Sequence, residues 1–332
     1  MSKIDFTGRV AIVTGAGGAL GRAYCKLLAS RGCTIVANDL GGSTTGEGTS
    51  HGYADAIVEE VKAAGGKAIA NYDTVATPEG GKAIVGAALD AFGRIDIVIN
   101  NAGNQRNGRF EDLTEADIDA VFAVHVKGAF FVTQPAYREM AKQGYGRIVM
   151  TSSQSGIFGN PIRGNYGSAK TALIGLMNVI AQEAPSNVLV NGILPNAAGG
   201  RLGGMPGDDR PDLDFLKAAG EKSRHYAAGM DPSFVAPMVA YLASVLCVTS
   251  QNMYSVLGGK YSRLFVGATR GWYKPGSEAP SPDDIVAHLA QIDDRAAYDV
   301  PLSGLDEMDT TVAAVRRLED MAAALPASPI AG

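Results

Sequence analysis

The sequence predicts an α/β protein with a doubly wound, parallel, seven-stranded sheet and a helical C-terminal extension. Short apolar runs alternate with helical patterns, and the first run breaks into glycines before a helix. A content of 46% hydrophobic and 19% charged residues provides an ample core. Strands that alternate with helices pair in parallel through right-handed crossovers. The predicted strands lie near residues 9–14, 33–38, 67–71, 95–99, 147–152, 188–194 and 253–257.

Closely spaced glycines follow the first strand. Gly15, Gly18 and Gly21, with Leu20 before the last of them, separate the apolar run 10–14 from a predicted helix. Glycines let the backbone turn tightly and approach a pyrophosphate, which rests on the amide groups of the helix N-terminus. The spacing Thr-Gly-x-x-x-Ala-x-Gly differs from the commoner Gly-x-Gly-x-x-Gly. We therefore expect a dinucleotide site in a Rossmann-type sheet.

The second strand ends at Asp39. A carboxylate at this point accepts hydrogen bonds from an adenosine ribose and repels a 2′-phosphate. No Arg or Lys follows Asp39 until Lys62. The sequence therefore predicts NAD rather than NADP as cofactor, the alternative being that Asp39 only caps a polar loop. Residues 41–52, rich in Gly, Ser and Thr, are expected to form a mobile loop over the adenosine end.

Polar residues also follow the third and fourth strands. Asp73 comes after the third strand, and Asn101, Ala102 and Gly103 come after the fourth. Glycine at the last of these positions allows a close approach of the backbone to a cofactor ribose. In the alternative interpretation these residues only form strand-end turns.

The chemistry is predicted by Ser153, Tyr166 and Lys170. The last two are four residues apart, so a helix places them one turn apart on the same face. A phenol has an unperturbed pKa of about 10, and an adjacent ammonium group lowers that pKa toward neutrality. Ser153 follows the fifth strand. We expect Tyr166 to act as a general base, with Lys170 as its activator.

With these motifs together, residues 5 to about 260 resemble the short-chain dehydrogenase/reductase family. Further stretches resemble the (3R)-hydroxyacyl-CoA dehydrogenase unit of peroxisomal multifunctional enzyme type 2 and its bacterial hydroxysteroid-dehydrogenase-like relatives. These stretches are residues 38–42, 65–73, 125–128, 155–160 and 195–197.

The resemblance implies NAD-dependent oxidation of a secondary alcohol to a ketone. The expected substrate is a (3R)-3-hydroxyacyl-CoA, and the alternatives are a free hydroxysteroid or other bulky secondary alcohol, or an NAD-binding scaffold without activity. The resemblance also places Asp73 against the adenine and Pro195 against the cofactor. It implies a homodimer or homotetramer, with residues 116–141 and 169–184 as contact faces.

His125 departs from the wider family, which has asparagine at this position to hold a water linked to the lysine. The narrower subfamily resembles this chain in having histidine. An imidazole can relay a proton, which makes His125 a candidate catalytic residue. The alternative is a structural histidine with satisfied hydrogen bonds.

Two further segments bear on the substrate. Residues 196–230 carry glycine hinges and apolar side chains, which indicate either a lid that excludes water or a flexible surface loop. We expect a dehydrogenase domain over residues 1–260 that includes this lid, and an extension over 261–332. Ser281 and Pro282 begin a predicted helix in the extension, which packs on the core or on a partner subunit.

The composition and the sequence argue against several other classes of protein. The net charge of −5 and the lack of a basic stripe argue against nucleic acid as a partner. Three scattered cysteines have no metal-ligand spacing and are expected to be buried thiols. No apolar run is long enough to span a membrane, and residues 328–332 lack a Ser-Lys-Leu type of address. We therefore expect a cytoplasmic protein.

Overall fold

The computed structural model describes residues 3–197, 218, 220–222, 224–274 and 276–324, with the side chains of 318–324 left out. The chain divides into two compact units, Met1–Leu264 and Phe265–Gly332. The predicted division at residues 260 and 261 stays a prediction. Most of the predicted lid, residues 198–217 together with 219 and 223, lies outside the described residues.

The first unit contains an eight-stranded sheet in its described residues. Its strands are β1 Val10–Thr14, β2 Thr34–Asn38, β3 Lys67–Asn71, β4 Ile97–Asn100, β5 Gly146–Thr151, β6 Val188–Asn196, β7 Met253–Leu257 and β8 Lys260–Leu264. Their spatial order is β3-β2-β1-β4-β5-β6-β7-β8, and β1 to β7 pair in parallel. Because the order reverses between β1 and β4, a crevice opens at their carboxyl ends.

Helices cover both faces of this sheet. They are α1 Ala19–Ala29, α2 Gly52–Ala63, α3 Pro78–Phe92, α4 Glu115–Phe122, α5 Gly128–Gln143, α6 Gln154–Phe158, α7 Gly164–Glu183 and α8 Ala236–Ala243. Alternate residues of β1 enter different cores: Ala11 and Val13 pack with α1, α2 and α8, whereas Val10 and Ile12 pack with α3, α5 and α7. Burial on both faces explains the near-continuous apolar runs of the central strands.

The eighth strand is a departure from the seven that the sequence predicts. β8 pairs antiparallel with β7, at the edge of the sheet. Gly258 and Gly259 join the two strands with φ values of +58° and +82°, a conformation that glycine adopts without strain. The chain therefore makes one further hairpin before it leaves the sheet.

The second unit contains two short antiparallel strands and two helices in its described residues. They are β9 Ala268–Thr269, β10 Tyr298–Asp299, α9 Pro282–Ile292 and α10 Gly304–Ala324. α9 begins as the sequence predicts, because the side chains of Ser281 and Asp284 form a reciprocal capping box.

Candidate active site

A cavity of about 630 Å³ opens at the carboxyl ends of the central strands. It is lined by Ser153, Tyr166 and Lys170, and by every residue predicted to bind the cofactor. Those residues are Gly15, Gly18, Leu20, Gly21, Asp39, Asp73, Asn101, Ala102, Gly103 and Pro195. The topology thus brings both predicted sets of side chains into one crevice.

The glycine turn after β1 is shaped by close backbone approaches. Gly15 has a φ of +64°, and a Cβ atom there would lie 2.9 Å from the Cα atom of Ala102. A Cβ atom on Gly21 would collide with the carbonyl oxygen of Gly15. Gly18 is the N-cap of α1 and has no side chain to occupy the amides of the first helical turn. These amides form a suitable site for a pyrophosphate.

Asp39 lies buried in the wall of the same cavity. Its Oδ2 atom accepts a hydrogen bond from the Gly17 amide at 2.9 Å, and Oδ1 accepts one from the Gly41 amide at 2.8 Å. Each carboxylate oxygen has two lone pairs, so these amide bonds leave acceptor capacity. Asp39 can thus brace the glycine turn and accept a ribose hydroxyl at the same time.

Asp73 is tied into the ends of the neighbouring strands. Its Oδ2 atom accepts a hydrogen bond from the Asn71 side chain at 2.7 Å, and its carbonyl oxygen accepts one from the Asn38 side chain at 2.8 Å. Asp73 thus takes part in the strand-end turn and also lines the cavity, and its expected contact with the adenine stays a prediction.

The turn after β4 is fastened to the end of β1. Thr14 Oγ1 accepts hydrogen bonds from the amides of Asn101 and Ala102, both at 3.0 Å. The Asn101 side chain donates to the carbonyl oxygens of Thr14 and Gly15. Asn101 therefore joins two strand ends, and Ala102 and Gly103 follow it along the cavity wall.

The loop over residues 41–52 carries several hydrogen bonds, and its predicted mobility stays a prediction. Within it, the amide of Ser43 donates to Glu47 and that of Ser50 donates to Leu40. The Gln105 amide donates to the Thr44 carbonyl oxygen at 2.9 Å. The loop is thereby attached to the segment that follows β4 at one side of the cavity.

Ser153 and Tyr166 face each other in the interior. Ser153 is the N-cap of α6, and its Oγ atom accepts a hydrogen bond from the Ser155 amide at 3.1 Å. Burial raises the pKa of the Tyr166 phenol, whereas hydrogen bonding with Ser153, the charge of Arg163 and hydrogen bonding with Gln105 lower it. Burial is the largest of these effects, and the net pKa lies above its ordinary value.

Lys170 is also buried, and its Nζ atom donates to the Thr151 carbonyl oxygen at 2.6 Å. Burial lowers the pKa of this ammonium group to about 7. The Nζ atom lies 5.6 Å from the centroid of the Tyr166 ring. The charge of Arg163 also lowers the Tyr166 pKa. The expected role of Lys170 as the activator of Tyr166 stays a prediction.

His125 lies behind the cavity wall. It belongs to a π-helical turn, Ala123–Lys127, between α4 and α5. Its Nε2 atom is 2.9 Å from the carbonyl oxygen of Asn104 and 3.1 Å from the amide nitrogen of that residue, and the tautomer decides which bond forms. Its buried Nδ1 atom has no hydrogen-bond partner among the described residues. Burial, followed by the charge of Lys170, lowers the His125 pKa well below its ordinary value.

The cavity is also lined by residues that were not predicted as site residues, including four with polar side chains: Gln105, Gln154, Asn160 and Arg163. Gln154 donates to Ser255 Oγ at 3.1 Å, and Asn160 donates to Ser155 Oγ at 2.8 Å. A sequence signal existed for two of the four. Gln105 follows the turn after β4, and Arg163 precedes Tyr166 by three residues, which is the spacing of neighbours on a helix face.

The described residues contain no group of three or more His, Cys, Asp or Glu side chains placed to hold a metal ion. Cys25, Cys33 and Cys247 are buried free thiols. In the part of the chain that the structure describes, none of the helices is sufficiently long and apolar to cross a bilayer.

Comparisons with known proteins show which family the chain resembles in sequence and fold. A family profile described as short chain dehydrogenase matches residues 9–202, more than half of the chain. The chain is 43% identical over 264 residues to peroxisomal multifunctional enzyme type 2 of Mus musculus, covering 79% of this chain and 33% of the mouse protein. It is 40% identical over 289 residues to a putative short-chain type dehydrogenase/reductase of Mycobacterium tuberculosis, covering 86% of this chain and 94% of that protein.

Solved structures extend the comparison. Full-length peroxisomal multifunctional enzyme type 2 from Drosophila melanogaster matches with a TM-score of 0.73 and 31% identity, covering 95% of this chain and 51% of that one. A short chain dehydrogenase from Mycobacterium avium matches with a TM-score of 0.70 and 32% identity, covering 90% and 99%. The chain thus spans about half or less of the multifunctional proteins from mouse and fly.

The predicted sheet and the resemblance are both confirmed by these matches. The family consists of oxidoreductases that use NAD or NADP. The chain belongs to the short-chain dehydrogenase family.

Proposed function

We propose that this protein oxidises a (3R)-3-hydroxyacyl-CoA to the 3-ketoacyl-CoA with NAD⁺. The chemistry rests on one observation: Ser153, Tyr166 and Lys170 line the same cavity onto which the glycine turn opens. The substrate class rests on the resemblance to the dehydrogenase unit of multifunctional enzyme type 2. A relative in Neurospora crassa, 38% identical over 295 residues, is named a peroxisomal hydratase-dehydrogenase-epimerase.

The residues present fit NAD. The open amides at the start of α1 suit the pyrophosphate, and Asp39 suits the adenosine ribose. A 2′-phosphate would meet the buried Asp39 carboxylate, and the cationic residues that line the described cavity are Lys170 and Arg163, both at the catalytic end. Bound NAD⁺ supplies the acceptor for the hydride that leaves the carbinol carbon.

The protein's own groups move the proton. The Ser155 amide donates to Ser153 Oγ, so the hydroxyl hydrogen of Ser153 is available to the substrate oxygen. Tyr166 removes the proton of the substrate hydroxyl, and Ser153 stabilises the carbonyl oxygen as it develops. Lys170, fixed on Thr151, is held one helical turn from Tyr166. A positioned base of this kind contributes about 10²–10⁴-fold to the rate.

The assay is NADH formation by purified protein with matched (3R)- and (3S)-3-hydroxyacyl-CoA esters and a free hydroxysteroid. Turnover confined to the (3R) ester is the expected result. Turnover of the steroid alone would replace the acyl-CoA assignment with that of a free alcohol dehydrogenase. NADP⁺ tested in parallel, with an expected preference for NAD⁺, checks the role of Asp39.

A homodimer or homotetramer is part of this proposal. Exposed apolar side chains occur on the helices that were predicted as contact faces, namely Ile118 on α4, Phe130 on α5 and Val179 on α7. Light scattering coupled to size-exclusion chromatography tests the assembly. A cytoplasmic location stays a prediction, and several relatives are named as peroxisomal proteins.

A further inference from the structure

Arg163 presents an unoccupied guanidinium group at the catalytic end of the cavity. It is half-buried and lines the cavity beside Tyr166. Among the residues that the structure describes, this guanidinium has no hydrogen-bond or ion-pair partner. Its Cζ atom lies 5.9 Å from the centroid of the Tyr166 ring. Five N–H donors therefore remain for a ligand.

The backbone that positions Arg163 is strained. The preceding residue, Ile162, is buried and has a φ of +61°. A β-branched side chain is a genuine outlier in this left-handed region, and such residues cluster at functional sites. Ile162 is held there because its carbonyl oxygen accepts a hydrogen bond from the Gly108 amide at 3.0 Å. The turn thus fixes the direction in which the chain enters α7 at Arg163.

The other cation in the cavity wall cannot play the same part. Lys170 is fully buried and donates to Thr151. The acidic lining residues, Asp39 and Asp73, follow β2 and β3 at the cofactor end. An electronegative substrate oxygen near the reacting carbinol therefore has one cationic partner among the described residues, and a guanidinium matches such an oxygen with its fork of donors.

We infer that Arg163 determines substrate specificity by donating hydrogen bonds to the thioester carbonyl oxygen of the substrate, while Tyr166 engages the 3-hydroxyl group. This inference deepens the proposed function and rests on it. In a 3-hydroxyacyl thioester one methylene separates the carbinol carbon from the carbonyl carbon. An isolated secondary alcohol has no such oxygen, so it gains nothing from Arg163.

The test compares three substrates with the wild-type protein and with Arg163→Met. The substrates are a (3R)-3-hydroxyoctanoyl thioester of CoA, the same thioester of N-acetylcysteamine, and 2-octanol. A hydrogen bond to a charged group contributes about 1.5–3 kcal/mol, so kcat/KM is expected to fall by about 10- to 100-fold on both thioesters. On 2-octanol only the part of the loss that comes from the Tyr166 pKa is expected, so kcat/KM should fall clearly less than on the thioesters. Lys82→Met, an exposed charge removal on α3, is the control and should change none of the three.

Each other outcome has a defined meaning. An equal loss on thioesters and 2-octanol would overturn the inference, since Arg163 would then act through Tyr166 or through the fold. A loss on the CoA ester alone would also overturn it, because Arg163 would then bind a CoA phosphate. Unchanged thioester kinetics would show that no contact forms. If the wild-type protein turns over neither thioester, the proposed function itself fails, whichever result Arg163→Met gives.

A second readout does not depend on 2-octanol. The charge of Arg163 lowers the Tyr166 pKa, and Arg163→Lys retains that charge but lacks the planar fork. We expect Arg163→Lys to keep the pH profile of the wild-type protein while losing part of kcat/KM on the thioesters. Full recovery of kcat/KM by lysine would contradict a specific guanidinium contact. Thermal denaturation of each variant verifies that the fold is intact.

Discussion

The imidazole of His125 meets the phenol ring of Tyr166 edge-on, with ring centroids 5.4 Å apart and ring planes at 89°. The same imidazole is in close contact with Gly103, where a Cβ atom would lie 2.5 Å from its Cε1 atom. His125 therefore connects the turn after β4 with Tyr166, the proposed general base. A neutral ring suits this position, because burial and Lys170 both oppose a second proton.

The first prediction concerns the protonation of His125. Its pKa in the folded protein is lowered, so below about pH 6.5 the unfolded chain takes up a proton at this residue before the folded protein does. The protein therefore keeps its full stability above that pH and loses stability as the pH falls below it. Urea denaturation of the wild-type protein is expected to show this loss between pH 7.5 and 5.5. In His125→Gln the loss should be smaller than in the wild-type protein, the remainder coming from Lys170, whereas the exposed His51→Gln should behave like wild type. An identical pH dependence in all three proteins would mean that folding does not change the pKa of His125.

The second prediction concerns Tyr166 as general base. Tyr166→Phe is expected to reduce kcat by at least about 10²-fold, since the phenyl ring keeps its packing but has no proton acceptor. NAD⁺ binding, followed by calorimetry, should remain measurable. Tyr137→Phe removes a hydroxyl that donates to the Glu183 carbonyl oxygen on the outside and should retain full activity. Substantial turnover by Tyr166→Phe would remove Tyr166 from the mechanism.

The third prediction concerns cofactor choice at Asp39. Asp39→Arg replaces the carboxylate with a cation at the adenosine end, so preference is expected to shift toward NADP⁺. The ratio of kcat/KM for the two cofactors measures the shift. The control is Asp90→Arg, which makes the same change in charge at an exposed position on α3 and should leave the cofactor ratio unchanged. An unchanged ratio in Asp39→Arg would show that the ribose carboxylate is misplaced, and a fall in thermal stability would reflect the lost bonds to the Gly17 and Gly41 amides.

Local patterns were sufficient to predict most of the fold. Apolar runs bounded by glycine and polar residues correspond to β1 through β7, because parallel strands are buried on both faces. The hairpin into β8 was missed although Gly258-Gly259 is a two-residue turn signal. That signal lies at the end of the predicted sheet, where an edge strand has a mixed rather than an apolar sequence.

The site was only partly predictable. Spacing along the chain was enough to predict that Ser153, Tyr166 and Lys170 lie in one cavity, because the i, i+4 relation and the end of a strand are local properties. The burial that raises the Tyr166 pKa could not be predicted, since desolvation depends on tertiary packing. Arg163 and Gln105 were missed for a related reason: they enter the cavity from turns whose paths are set by bonds to distant segments, such as that between Gln105 and Thr44.

The last prediction concerns Lys170 and the pH dependence of stability. The unfolded chain binds a proton at Lys170 below its ordinary pKa of about 10.4, whereas burial lowers the folded pKa to about 7. Between these values the unfolded state holds more protons, so stability rises with pH, by up to about 1.4 kcal/mol per pH unit. Below about pH 7 this contribution is constant and at its least favourable.

Lys170→Met removes the titrating group and retains an unbranched apolar side chain. The free energy of unfolding of the wild-type protein and of Lys170→Met is measured with urea at pH 7 and at pH 9.5. The difference between the two proteins reports on Lys170, because every other titrating group is present in both. We expect the stability of the wild-type protein to rise relative to that of Lys170→Met as pH rises. The stability of Lys82→Met relative to the wild-type protein should not change with pH. Parallel pH dependences in the wild-type protein and Lys170→Met would mean that burial does not lower the pKa of Lys170 and that its ammonium group stays charged through pH 9.5.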